Sequence, residues 1–192
     1  MIKISYRNVI FVALASVLLS ACQSGQQLVD HIRIKHSNAA SVDAMTTIKC
    51  TGAIKCEFER IDNIPLIDSQ THRVSKQALD LGSLGLQGSI FSSKNNMYLN
   101  VPAKQYEIVV RFYPISEVKA EKFYIIHNFK ADKHYTLNMY RDRSNPSKKA
   151  TLLDVSAPRP LCVALLDGQK VIKRFCRPFD ARTGLGEFVE QS

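Results

Sequence analysis

The apolar positions of this 192-residue chain fall in short runs, most of them with a period of two. His31-Ile32-Arg33-Ile34-Lys35-His36 alternates polar with apolar residues and predicts a half-buried strand that opens the folded domain. Thr46-Thr47-Ile48-Lys49 and Glu57-Phe58-Glu59-Arg60-Ile61 flank a small loop at Thr51-Gly52 and predict a strand pair. From 62 to 96 the pattern breaks up: Asn63-Ile64-Pro65 signals a turn, glycines cluster at Gly82, Gly85 and Gly88, and the stretch around Arg73 to Leu81 is compatible with a short helix. Beyond it, Met97 to Val101, Tyr106 to Tyr113, Lys122 to Phe129 and Tyr135 to Tyr140 are rich in β-branched and aromatic residues. They are separated by Pro102, Pro114 and Ala131-Asp132-Lys133, and four strands at this spacing predict an antiparallel meander.

Thr151-Leu152-Leu153-Asp154-Val155 leads through Pro158 and Pro160 into a last pair of runs, Leu161 to Leu166 and Val171 to Cys176, around the turn signal Asp167-Gly168-Gln169-Lys170. Setting Cys162 opposite Cys176 also sets Val163 opposite Phe175 and Leu166 opposite Ile172, so both faces of the hairpin gain partners. The tail from Phe179 to Ser192, with Gly184 and Gly186, reads as an edge strand or a loose end. Helical periodicity is scarce, and the pattern as a whole predicts an all-β fold, an antiparallel β-sandwich with room for one short helix.

The amino terminus has a different pattern. A basic start at Lys3 and Arg7 precedes an apolar run from Val9 to Leu19 and then Leu19-Ser20-Ala21-Cys22. The run is about half the roughly 20 residues that a membrane-spanning helix needs, and its charge lies on the amino-terminal side, as in a secretory leader. This order of parts resembles the signal peptide and lipobox of bacterial lipoproteins. The resemblance implies that the Cys22 thiol carries a diacylglycerol, that the bond before it is cut, and that the new terminus is acylated, with chains such as palmitate. Gln23 stands where, in the resembled family, an aspartate would favour retention in the inner membrane, which implies the outer membrane; a periplasm-facing body is the expectation, and residue 23 does not decide between that and the cell surface. An ordinary leader cut near Ser20 and Ala21 is the alternative. The expected organisation is a signal peptide over 1–21, a lipidated polar tether over 22–30, and a single β-sandwich domain over 31–192.

Charge and cysteines extend this picture. The chain has 26 basic and 17 acidic residues; the leader removes Lys3 and Arg7, and the remainder carries a formal +7. A cationic body tied to a bilayer is drawn to anionic headgroups, anionic envelope polymers or acidic partner proteins, although without a long Lys/Arg block the charge also reads as ordinary solubility charge. The compartment disfavours nucleic acid. Of the five cysteines, the lipobox resemblance assigns Cys22 to lipidation, and Cys50, Cys56, Cys162 and Cys176 form two sequence-local pairs in a chain that the leader would send to an oxidising space. Local pairing, one of three connectivities, predicts disulfides Cys50–Cys56 and Cys162–Cys176. Zinc is disfavoured by the lack of C-x2-C spacing.

Candidate chemistry is sparse. No G-x-S-x-G, H-E-x-x-H or catalytic free thiol is present once the disulfides form, so no catalytic residue, metal or cofactor is assigned. His31 and His36 fall on opposite faces of the predicted strand, and His72, His127 and His134 are scattered. Glu57 and Glu59 share a strand face and read as a solvated face beside Lys55 and Arg60. The basic loop at Arg141, Arg143, Lys148 and Lys149 can present cations to phosphate or carboxylate groups, or be a solvated hairpin loop. Tyr98, Tyr106, Tyr113, Tyr124, Tyr135 and Tyr140 are either packing or a recognition face.

The segment Leu99 to Val110, followed by Lys133-His134-Tyr135-Thr136-Leu137, resembles the small PEGA-type and transthyretin-like sandwiches of envelope proteins, with Lys104 where their turn has glycine. That resemblance implies a sandwich fold. The expectation is a non-enzymatic outer-membrane lipoprotein that binds or scaffolds another envelope component. The alternatives are an envelope-protective inhibitor of a lysozyme or protease, with the Asp167 to Lys170 tip as a plug, a structural lipoprotein of a secretion system, and an enzyme acting on envelope polymers.

Overall fold

The computed structural model describes residues 29–35, 45–87, 97–142, 159–177 and 186–191. Two β-sheets pack face to face. The larger contains β11 (Val189–Gln191), β10 (Lys170–Arg177), β9 (Leu161–Asp167), β8 (His134–Arg141), β1 (Met45–Thr51), β5 (Met97–Pro102) and β4 (Leu84–Leu86), in that spatial order. The smaller contains β3 (Ile64–Pro65), β2 (Lys55–Ile61), β6 (Gln105–Tyr113) and β7 (Glu121–Asn128). All pairings are antiparallel except β1 with β8, which run parallel. Ile48, Leu99, Leu137, Val163 and Leu165 from the first sheet and Phe58, Ile108, Val110, Phe112 and Phe123 from the second form the buried layer between them.

The predicted sandwich, both disulfides and the short helix are present. The helix α2 (Lys76–Asp80) starts where the Ser75 hydroxyl accepts from the Ala78 N–H, satisfying one orphan donor of its first turn. Cys162 stands opposite Cys176, and Phe175 opposite Val163. Nearer the turn the register departs from the expected one: Leu166 faces Val171, and Ile172 sits in a bulge between Val171 and Lys173. A period-two pattern cannot show an inserted residue.

Three elements differ from expectation. Residues 29–35 form a helix, α1, where the alternation of His31 to His36 predicts a strand. Asp30 and Ile34, four apart, are its buried positions, so a short window that satisfies period two also satisfies period 3.6. The helix also takes in Val29 and Asp30, the last two residues of the stretch read as tether. β1 and β2 do not pair; they lie in different sheets, and Cys50–Cys56 crosses between the sheets, with Cα atoms 6.2 Å apart. The four central strands are not a meander. β5 pairs with β1 and β4, β6 and β7 form a hairpin in the other sheet, and β8 returns to lie between β1 and β9. Both edges of β6 are taken by β2 and β7, which leaves β5 no edge of β6 to join.

Cys22, His36, Arg143, Lys148, Lys149 and the run Thr151 to Val155 lie outside the described residues. Among the described residues, no helix is long and apolar enough to cross a membrane.

Candidate functional site

The outer face of the smaller sheet carries an ionic cluster instead of the solvated face expected for Glu57 and Glu59. Glu57 and Arg111 stand opposite each other on β2 and β6, and they are only 5% and 2% exposed. The reason is the loop from Leu66 to Ser75, which folds back over this face. It is held by Leu66 N–H donating to the Glu59 carbonyl and by Arg111 donating to the carbonyls of Ile67 and Asp68, each at 3.2 Å. Asp68 ties the loop's own turn by accepting from the N–H groups of Gln70 and Thr71.

Glu57 is fully engaged. Lys55 Nζ lies 2.5 Å from Oε1; His72 Nδ1 at 2.9 Å, the Tyr113 hydroxyl at 3.0 Å and Arg111 at 3.1 Å all meet Oε2. Burial alone would raise the Glu57 carboxyl, but hydrogen bonds from Lys55 and His72 and the charge of Lys55 outweigh it and hold the group below its ordinary value. Burial, with the Glu57 charge beside it, pushes the Tyr113 hydroxyl up to about 12. Glu59 takes Lys122 at 2.8 Å, and Arg111 Nε lies 3.4 Å from it. A carboxylate so buried, with both oxygens occupied by cations and a phenol, has no lone pair directed at a substrate. Its chemical effect is to pin the loop to the sheet. Helix α1 is docked on the same loop: Asp30 accepts from Arg73 Nε at 2.7 Å and from the Val74 N–H at 3.3 Å.

Among the described residues, the other candidates from the sequence do not converge. Arg141 donates to the Arg159 carbonyl at 2.9 Å. His127 packs edge-on against Phe129 and Tyr135, His134 is exposed at the start of β8, and His31 lies on α1. Of the tyrosines, Tyr106, Tyr113 and Tyr135 are core residues, and Tyr124 is the exposed one on β7. Asp142, Cys162 and Cys176 come within metal-ligand distance of one another, but both sulfurs are bonded to each other and Asp142 pairs with Arg174.

A feature with binding character, not visible in the residue pattern, lies beside β7. An open groove of about 350 Å³ is lined by Tyr124, Ile125 and Ile126 of β7, Lys173 and Phe175 of β10, and Glu190 of β11. Of this lining, Phe175 packs edge-on against the buried Phe123, with centroids 5.2 Å apart, and Phe123 in turn meets Phe188 at 5.4 Å. Along the groove β7 is the free edge of the smaller sheet among the described residues. On β6 the carbonyls of Glu107 and Tyr113 accept from the β2 side, so the odd positions of β6 bond β2 and the even ones bond β7. Through the register Ile108 to Ile125, the backbone groups of Lys122, Tyr124, Ile126 and Asn128 therefore point away from the sheet, along the groove. Tyr124 and Ile126 also present exposed side chains there. No protein-family model, curated protein or solved structure matches this chain.

Proposed function

We propose that this protein is a non-enzymatic lipoprotein of the outer membrane, held through Cys22, whose sandwich binds an extended segment of another envelope protein along β7. The observation that carries the reading is the row of outward backbone groups on Lys122, Tyr124, Ile126 and Asn128 beside a groove lined by Tyr124, Ile126 and Phe175 with Lys173 and Glu190. Such an edge is a template for strand addition, with main-chain bonds for affinity and the groove for alternate side chains. The leader and lipobox supply the setting, because a tethered partner meets this edge at high effective concentration, and modest affinity suffices.

The inhibitor reading draws less from the geometry. Gly168 and Gln169 form the exposed hairpin tip, but the Gly168 N–H donates to the His134 carbonyl at 3.0 Å, which keeps the tip level with β8 and not projecting as a plug.

A photo-crosslinking residue placed at Tyr124 or Ile126 in cells tests the reading. One discrete envelope partner is expected, lost when Ile126 is replaced by proline, which removes an outward N–H. Capture of abundant bystanders alone, equally from a site on the opposite face, would overturn it.

A further inference from the structure

One end of the sandwich carries large aliphatic side chains in solvent. The β6–β7 loop presents Ile115 and Val118, 72% and 94% exposed, and the β1–β2 loop presents Ile54, 43% exposed. The Ile54 N–H donates to the Tyr113 carbonyl at 3.0 Å, two residues before Ile115, so the two loops lie side by side. Lys119 stands on the same loop, with Glu117 between the apolar positions, and Lys55 follows Ile54 with its ammonium 5.5 Å from the Tyr113 ring centre.

The beginning of α1 is near this end. Asp30 is bonded to Arg73, and the neighbouring His72 packs against Tyr113 with ring centroids 6.2 Å apart. Val29 and Ile32 are exposed aliphatics on that helix. Six residues separate Cys22 from Val29, and that length of chain spans at most about 25 Å.

We propose that this end of the sandwich docks on the bilayer that the Cys22 acyl chains enter, with Ile54, Ile115 and Val118 in the interfacial layer and Lys119 at the level of anionic headgroups. The proposal rests on the anchoring reading above. Three features select a lipid surface as the occupant: the side chains are aliphatic and sit on loop tips, the body carries a net positive charge, and a short chain from the anchor ends close by. The docking sets an orientation. β7 rises from the membrane at Glu121, so Tyr124 and Ile126 stand about 10 and 17 Å up the strand, with the groove open sideways to a neighbour on the same membrane.

The chain has no tryptophan, so one introduced residue is a clean reporter. Full-length protein, matured in cells, is reconstituted into phosphatidylethanolamine/phosphatidylglycerol vesicles containing brominated lipid. One preparation carries Val118→Trp and another Gln169→Trp, at the hairpin tip beside His134 at the opposite end of the sheet. The expected result is blue-shifted, lipid-quenched emission for Val118→Trp and unquenched emission for Gln169→Trp, with Ile115→Asp reducing the first. Floating, acylated protein whose Val118→Trp emission stays unquenched, or is quenched no more than that of Gln169→Trp, overturns the docking and leaves the anchor standing. Protein that bears no acyl chain and does not float overturns the anchor, and the docking with it.

Discussion

Cys50 and Cys56 are six positions apart in the chain and lie in opposite sheets, so their disulfide is a clasp between the two layers of the sandwich. It closes the end at which β1 passes to β2, where Ile54 meets Tyr113. Closing so short a loop restricts the unfolded chain by about 2 kcal/mol. Replacing both cysteines by alanine is expected to lower the stability measured by urea unfolding by about that amount, with the sandwich retained. An unchanged midpoint would show that the layers do not need the clasp.

Glu57 and Arg111 form the second test. Arg111→Met leaves a buried carboxylate with weaker compensation, and the expected loss is about 3 kcal/mol. Adding Glu57→Leu to Arg111→Met is expected to recover much of that loss, because the pair is replaced by apolar contacts. A double variant as unstable as the single one would mean that the cluster has a role beyond pinning the Leu66 to Ser75 loop.

Stability should fall towards both acid and alkaline pH. Burial holds His31 and His127 below 6.5, so the unfolded chain takes up protons first and stability declines as pH drops from 6.5 to their folded values. Asp30 and Glu57 are also held low, against their burial, by Arg73 and by Lys55 with His72; their contribution is complete above about 4.5 and is lost as pH falls through their folded values. Tyr113 is raised from 10.0 to about 12, so its neutral form favours folding and stability declines as pH climbs through that interval. Urea midpoints across pH should show a plateau between about 7 and 10. A midpoint that rises from pH 7 to pH 5 would contradict this assignment.

What the residue pattern reveals and what it hides follow from the range of each interaction. The Cys162–Cys176 hairpin is legible because its turn and both of its faces lie within one short segment. The partners of β1 and β5 are not, since an alternating run marks a strand without marking its sheet. α1 is hidden because its stabilising contact, Asp30 with Arg73, is tertiary. The Glu57 cluster did leave a signal: Val109, Val110, Phe112 and Tyr113 make β6 apolar on both faces, so Arg111 among them had to be buried and needed a carboxylate. The β7 edge leaves none, because a free ladder edge is a property of topology.

The most direct test of the central claim is metabolic labelling with an alkyne fatty acid, with membrane fractionation, of the wild type and of Cys22→Ser. The wild type is expected to take up label, mature at Cys22 and fractionate with the outer membrane. Cys22→Ser is expected to take up none and to leave the membrane fraction. Maturation of Cys22→Ser at the same site, with membrane fractionation like that of the wild type, would contradict the account.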